Sequence, residues 1–397
     1  MDALAEIEAL VAHGERGPGT DAERRAARHL ASRLRELGRD AVVEPIDVWP
    51  RYALVYLAHA VAAVAGSVIS VYAHLAGAIV LLATAVSAFG DLTGTFRLAR
   101  RWSGRRASQN VVSREDGGRP GTLVLVAHYD AGATGAPFAP RASERLAALG
   151  DRIGRPIGLF GPFFWSIVVA LACAVVRLVG IDAKPLTAVQ FVATVVLIVS
   201  VPLLAEVALS GTVPGANDNA SGVATVLRLA ERYGGDLDNF DVWVVLTGAE
   251  EGMELGMGAW LRAHRRELEP TRTAFVCVDQ VGHGTVRYAR REGYLLPRAA
   301  HSELLALCDQ IAEEDAADDT RYGARAYVSR MASDAHAATA AGFPAVAISC
   351  LGSLDRAPHH HLPSDTVENV DPSALERAFG FCSELIELID ERLGAEL

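Results

Sequence analysis

The segment Thr122-Leu-Val-Leu-Val-Ala-His-Tyr-Asp130 is an apolar run that stops on a histidine and an aspartate. Such a run reads as a strand buried on both faces, the kind found inside a parallel sheet. Two more runs stop the same way: 241–246 leads into Glu250-Glu251-Gly252, and 273–278 leads into Asp279. Further strands are predicted at 345–349 and at 109–113, the latter followed by the turn Asp116-Gly-Gly-Arg-Pro-Gly121. Helical patterns alternate with them at 221–233, 256–265, 300–314 and 372–393. Nearer the start, Thr20 caps an amphipathic helix that places Leu30, Leu34 and Leu37 on one face. This alternation predicts an α/β fold, a three-layer sandwich with a central mixed, mostly parallel sheet. In such sheets sites form at the carboxyl ends of strands, which turns His128, Glu250, Glu251 and Asp279 into one constellation.

The stretch Gly215-Ala-Asn-Asp-Asn-Ala-Ser-Gly222 adds Asp218, set among small and amide neighbours directly before a helix. Taken singly, each motif has an ordinary explanation. A histidine or aspartate at a strand end is usually a cap or turn residue, Glu250-Glu251 would pass for a solvated acidic pair, and Asp218-Asn219 suits a helix N-terminus. With His361-Leu-Pro-Ser-Asp365 added, the set holds two His, two Asp and one Glu, with a spare Glu beside them. Those nitrogen and oxygen donors suit a pair of zinc ions.

The net charge of -11 argues against a nucleic-acid binder. The 51% hydrophobic content is concentrated, since no Asp, Glu, Lys or Arg occurs between Arg51 and Asp91, Arg155 and Arg177, or Lys184 and Glu206. A bilayer is crossed by about 20 apolar residues, so four transmembrane helices are predicted as two hairpins: 52–72 with 75–93, and 156–176 with 185–205. As core helices of a soluble protein they would need more covering chain than remains. The α/β domain is then assigned to 1–50, 94–155 and 206–397, with 51–93 and 156–205 as insertions. Arg51, Arg97, Arg100, Arg101, Arg105 and Arg106 flank the first hairpin, and Arg141, Arg145, Arg152 and Arg155 precede the second. Positive charge tends to stay cytoplasmic, which puts the domain on that side, against the minority vote of Arg177 and Lys184. The cluster at 97–106 reads as a membrane-flanking topogenic segment. The start of the chain has no cleavable-signal pattern. Five cysteines without regular spacing fit reduced thiols in a cytosolic setting.

In their order and context these residues resemble the co-catalytic di-zinc aminopeptidases of metallopeptidase family 28, relatives of glutamate carboxypeptidase and glutaminyl cyclase. The resemblance spans about 20–48, 107–134 and 210–395, leaving the hairpins as additions, and it implies the zinc-dependent exopeptidase, phosphorylase/hydrolase-like fold. It implies that His128 and Asp279 ligate one zinc, Glu251 and His361 the other, and that Asp218 bridges both. A single carboxylate has two oxygens with which to hold metals about 3.5 to 4 Å apart. Glu250 is implied as the general base that takes a proton from the attacking water and passes it to the leaving amine. Asp130 is implied as the partner that orients His128.

The sequence also departs from the family. His359, His360 and His361 are consecutive, and Pro363-Ser-Asp365-Thr366 fits the pattern only if His361 is the ligand. Relatives place a tyrosine before that histidine as oxyanion donor; here His360 stands there, either as donor in its place or as a surface residue. Ser333-Asp334 and Gly342-Phe-Pro-Ala345 also resemble the family, with Asp334 supporting the pocket and His336 at the surface. Glutaminyl cyclases use one zinc and lack an equivalent of His128, and scaffold relatives have lost ligands, so this chain is expected to be a two-metal hydrolase.

The second hairpin lies between His128 and Asp218 in sequence. About eight residues separate Ser210 from Asp218, at most about 29 Å of extended chain, which sets the metal site near the membrane surface. The resulting expectation is a membrane-anchored zinc aminopeptidase in contact with lipid, acting on peptides, including hydrophobic or membrane-associated ones. Its alternatives are another amidase or dipeptidase of this fold and a non-catalytic membrane scaffold.

Overall fold

A computed structural model describes residues 1–154, 157–317 and 320–393. It opens with α1 (Ala3–Val11), a helix the sequence reading did not include, capped by Asp2, whose carboxylate accepts from the Leu4 amide. In α2 (Asp21–Glu36) the cap is Thr20, whose hydroxyl accepts from the Glu23 amide, and Leu30 and Leu34 are buried. There follow β1 (Val42–Val48), α3 (Tyr52–Tyr72), α4 (His74–Leu92), β2 (Arg106–Ser113), β3 (Gly121–His128), α5 (Pro140–Arg152), α6 (Phe160–Leu178) and α7 (Lys184–Leu209). The second half contains α8 (Ser221–Tyr233), β4 (Phe240–Thr247), α9 (Leu255–His264), β5 (Thr273–Val278), β6 (Thr285–Glu292), the two-residue β7 (Arg298–Ala299) and α10 (Ser302–Ala317). It closes with β8 (Arg325–Val328), α11 (Asp334–Ala340), β9 (Ala345–Leu351) and α12 (Pro372–Leu388).

All nine strands form one sheet in the order β1-β2-β4-β3-β5-β9-β6-β7, with β8 against β6. Its centre, β4-β3-β5-β9, is parallel, while β1, β2, β6 and β7 join antiparallel. The turn at 116–121 does not connect neighbours, because β4 lies between β2 and β3. Asp241 accepts from the amides of Gly117 and Gly118, and Glu115 accepts from that of Val242, so this loop wraps over the start of β4.

Period-two alternation along β3 divides the core. Leu123, Leu125 and Ala127 pack into a cluster with α1, α2, α8 and α12, whereas Val124 and Val126 face Trp260 of α9 and Ala338 of α11. Each buried Leu or Val among them contributes about 1.5 to 3 kcal/mol, and helices cover both faces.

The helices α3, α4, α6 and α7 pack into their own bundle, and each is long and apolar enough to cross a membrane. The first expected span has the bounds of α3, while α4 and α7 each start one residue before the expected 75 and 185 and α7 runs on to Leu209. The predicted start of the third span, Pro156, lies with Arg155 outside the described residues, and α6 begins at Phe160. Small residues let the backbones approach: a Cβ on Gly77 would stand 2.4 Å from the Cα of Ser70. The outer face is apolar, with Leu75, Ile79, Phe191 and Val192 exposed.

Candidate metal centre

Six side chains meet above the carboxyl ends of the parallel strands. His128 ends β3, Glu250 and Glu251 follow β4, Asp279 follows β5, Asp218 precedes α8, and His361 lies in the loop after β9. The Nε2 of His128 is 3.3 Å from Asp218 Oδ1 and 3.4 Å from Asp279 Oδ1. On the other side, His361 Nε2 is 3.0 Å from Glu251 Oε2 and 3.6 Å from Asp218 Oδ2. Asp218 therefore turns one oxygen to each group. Both rings are aimed from the same loop: His128 Nδ1 is 3.2 Å from the Asp130 carbonyl oxygen, and His361 Nδ1 is 2.8 Å from that of Ala133. Donation of each Nδ1–H to its carbonyl leaves the Nε2 lone pair facing the cluster.

The donor set fits zinc. Asp218 Oδ2, Glu251 Oε1 and Asp279 Oδ1 are buried and accept no hydrogen bond. Buried carboxylates left unpaired cost several kcal/mol, a cost that a divalent cation removes. Nor is there room for a side chain beside the cluster, since a Cβ on Gly132 would lie 2.6 Å from His361 Nε2 and 2.7 Å from Glu251 Oε1.

Two carboxylates act as backbone clips. Asp130 accepts from the amides of Glu250 and Glu251, each at 3.0 Å, so it fixes the turn bearing those residues while its carbonyl orients His128. Asp365 does the same for Asp218, accepting from the amides of Asn217 at 2.8 Å and Asp218 at 3.1 Å. The sequence reading used Asp365 only to set the register of His361. It also missed Arg16, fully buried, whose guanidinium donates to the carbonyls of Tyr129, Pro214 and Gly215 and ties the His128 loop to the Asp218 loop. Burial lowers this arginine to about 10. No local sequence signal marks it, because its partners are remote backbone carbonyls.

Burial pushes the Glu250 carboxyl well above its usual range, reinforced by Asp334, Glu251 and Asp279 against the opposing effect of His128. A carboxylate with raised proton affinity can accept and return a proton. Burial would also raise Asp218, but its contacts with His128 and His360 hold it well below the ordinary carboxylate range. Asp334 supports the site from beneath, accepting from the Thr247 hydroxyl. His336, expected at the surface, is buried, with Nδ1 3.1 Å from Glu254 Oε2; the short α11 turns it inward against that carboxylate. His360 is also no surface residue. Its Nδ1 is 2.9 Å from Asp218 Oδ2 but out of line for a hydrogen bond, and its Nε2 is buried without a partner.

The first hairpin reaches this centre through buried charge. Arg97 and Arg100, read from sequence as part of a membrane-flanking cluster, point inward. Arg100 donates from Nε to both oxygens of Asp91 at 2.8 Å and from its other nitrogens to the Gly252 carbonyl and the Met253 sulfur. Arg97 donates to the Met253 carbonyl, and the Tyr56 hydroxyl meets the Met253 sulfur. The turn they hold is strained: Ala249, Met253 and Glu254 have φ of 52°, 72° and 56°. Left-handed non-glycine residues persist where surroundings over-determine them.

The second hairpin reaches it through backbone. At the end of α7 the Val213 amide donates to the Gly132 carbonyl, the Thr134 amide to that of Gly211, and the Ser210 hydroxyl to that of Thr134. The loop that aims both imidazoles is thus framed by the chain leaving α7.

Residues 200–386 match the model of Peptidase family M28. No curated protein matches the chain by sequence. Among solved structures, a Zn-dependent exopeptidase from Parabacteroides distasonis is 16% identical, with a TM-score of 0.54, over 98% of this chain and 97% of that one. A zinc aminopeptidase from Bacillus subtilis is 13% identical, with a TM-score of 0.55, over 100% and 97%. Glutaminyl cyclase from Porphyromonas gingivalis is 15% identical, with a TM-score of 0.54, over 97% and 96%. At these identities the likeness is one of fold.

Proposed function

With residues 200–386 carrying the sequence of peptidase family M28, we propose a membrane-anchored, two-zinc aminopeptidase that hydrolyses the peptide bond after a free amino-terminal residue. The observation that carries this reading is Asp218, with one oxygen facing His128 and the other facing His361. His128, Asp218 and Asp279 would hold one zinc, and Asp218, Glu251 and His361 the other. Bound zinc polarises the scissile carbonyl and makes water a nucleophile near neutral pH. Glu250 takes a proton from the attacking water and gives it to the leaving nitrogen, so the C–N bond breaks with one water consumed and an acid and an amine formed. His360, whose Nε2 has no partner among the described residues, would donate toward the developing oxyanion. Asp130 and Asp365 keep the turns of Glu250, Glu251 and Asp218 in register.

Anchoring rests on the four apolar helices, taken as insertions at 51–93 and 156–205 in a domain formed by 1–50, 94–155 and 206–397. The arginine distribution puts that domain on the cytoplasmic side.

Metal analysis of the purified chain is expected to find two zincs. The Glu250→Gln variant should keep them and lose about 10²- to 10⁴-fold in kcat. Absence of stoichiometric zinc together with absence of turnover would leave the scaffold reading, and unchanged turnover in that variant would remove Glu250 as the general base. Equal turnover of free and amino-terminally acetylated peptides would leave a general amidase.

A further inference from the structure

A cavity of about 650 Å³ has the metal centre at one end and membrane helices along one side. Ser200, Leu203, Leu204 and Val207 of α7 line it, spaced so that they share one helix face, and Phe160 and Phe163 of α6 continue the wall. The length of α7 sets their depth. Its 26 residues rise about 39 Å, against about 30 Å for the hydrocarbon layer, so the last six or so stand above it. Glu206, exposed near that end, marks the same boundary. The wall at 200–207 therefore straddles headgroup level.

Two further features agree with that depth. Helix α5 supplies Ser143, Leu146 and Ala147 to the rim of the cavity. It carries Arg141, Arg145 and Arg152 and leaves Leu149 exposed, with Ile153 exposed just past its end, which is the make-up of a helix lying in a membrane interface. At the metal end the lining carries the carboxyl groups of Asp218, Glu250, Glu251, Asp279 and Glu292, whose charge two bound zincs would offset. The arginines of the lining, Arg330 and Arg356, are turned to Asp151, Ser143 and Glu144 of α5.

The aminopeptidase reading puts a free amino terminus at the metal end, and apolar side chains suit the helix wall. We infer that the substrate is a membrane-resident peptide with a free amino terminus, whose first residues are apolar and lie against α6 and α7 while its amide sits at the metal centre. The bilayer surface, rather than the aqueous phase, delivers it. Such ends are made by endopeptidases that cut within or beside membrane-spanning segments. This inference rests on the aminopeptidase reading.

The test uses the full zinc-loaded chain in phosphatidylcholine vesicles and two substrates, leucine amide and a leucyl peptide with an apolar tail that partitions into the vesicles. Leu204→Ala removes part of the wall and Ser200→Trp fills the space; Phe191→Ala, on the exposed face of α7, is the control. In both wall variants the peptide-to-amide ratio of kcat/KM is expected to fall about tenfold, and in Phe191→Ala to stay put. Zinc content and leucine amide turnover report that each variant is folded. A ratio unmoved in both wall variants overturns the inference and leaves the aminopeptidase reading standing. Cleavage of an N-acylated copy of the peptide as fast as the free one overturns the aminopeptidase reading itself, whatever the wall variants do.

Discussion

One buried arginine follows the first hairpin and one lies within the second, and the two sit at opposite ends of the helix bundle. Arg100 neutralises Asp91 at the site end and grips the turn after Glu251. Arg177 lies at the far end of α6, where it donates to Gln190 and Thr187, while Gln190 donates to Ser67 and Ser70 of the first hairpin. Far from the centre, then, a polar network joins the hairpins to each other; near it, apolar packing of Tyr56 against Phe160 and Phe163 takes over. The difference teaches that the same residue type grips the turn after Glu251 just beyond one hairpin and only the bundle within the other. By this account the first hairpin governs how fast the centre works, and the second governs what reaches it.

Removing both arginines in turn is the hardest test. In Arg100→Gln the Asp91 carboxylate is left buried with its main partner gone, and a loss of about 3 to 5 kcal/mol of stability is expected together with hydrolysis. Arg177→Gln gives up hydrogen bonds to neutral partners and an ion pair with the exposed Asp182, together about 1 to 3 kcal/mol, and turnover per folded, zinc-loaded molecule should be unchanged. Thermal unfolding in detergent, read beside zinc content and kcat, separates the two. Loss of kcat in Arg177→Gln at full zinc occupancy would break the comparison.

A gentler substitution asks whether Arg100 acts through the turn. Lysine at this position keeps a charge for Asp91 but cannot fork to the Gly252 carbonyl and the Met253 sulfur. Displacement of a catalytic group by about 1 Å can cost on the order of 10²-fold, so Arg100→Lys is expected to lower kcat by about 10- to 100-fold with KM and zinc content nearly unchanged. A rise in KM with kcat intact would instead give the first hairpin a binding role.

The parts of this arrangement that sequence reveals are those carried by local pattern. His128, Glu251 and Asp279 could be found because strands announce their own ends: 273–278 is read with the bounds that β5 has, and 221–233 with those of α8. β1 and β6 were missed, the first because Pro45 and its acidic neighbours mask alternation, the second because Arg287, Arg290 and Arg291 make a strand look like a solvated loop. Arg287 in fact folds back on the Gly323 carbonyl and Asp355. The roles of Arg100, Arg16 and the backbone clip made by Asp365 escaped for one reason: apart from Asp91, 9 residues from Arg100, their partners at the site lie 113 to 199 residues away and most are backbone atoms, which no spacing encodes. Charge next to an apolar run signals a membrane flank equally well whether the side chain points to lipid headgroups or into the protein.

Glu292, at the end of β6, is a contribution of the domain to the cavity that α6 and α7 also line. Its carboxylate accepts from the Ser333 hydroxyl, and burial raises it from 4.5 to about 7, opposed by His336 and by that hydrogen bond. The folded chain therefore binds this proton more tightly than the unfolded chain does. The stabilisation is complete below the unfolded value of 4.5 and is lost as pH rises through about 7. In metal-free protein, Glu292→Gln should flatten the fall in stability between about pH 5 and 7, by at most about 1.4 kcal/mol per pH unit. Denaturant unfolding across that range measures it. The Leu204→Ala variant, which changes the α7 wall without touching a titrating group, should keep the wild-type slope; a flattened slope there would mean that this wall and Glu292 are coupled and that the hairpin does more than bound the cavity.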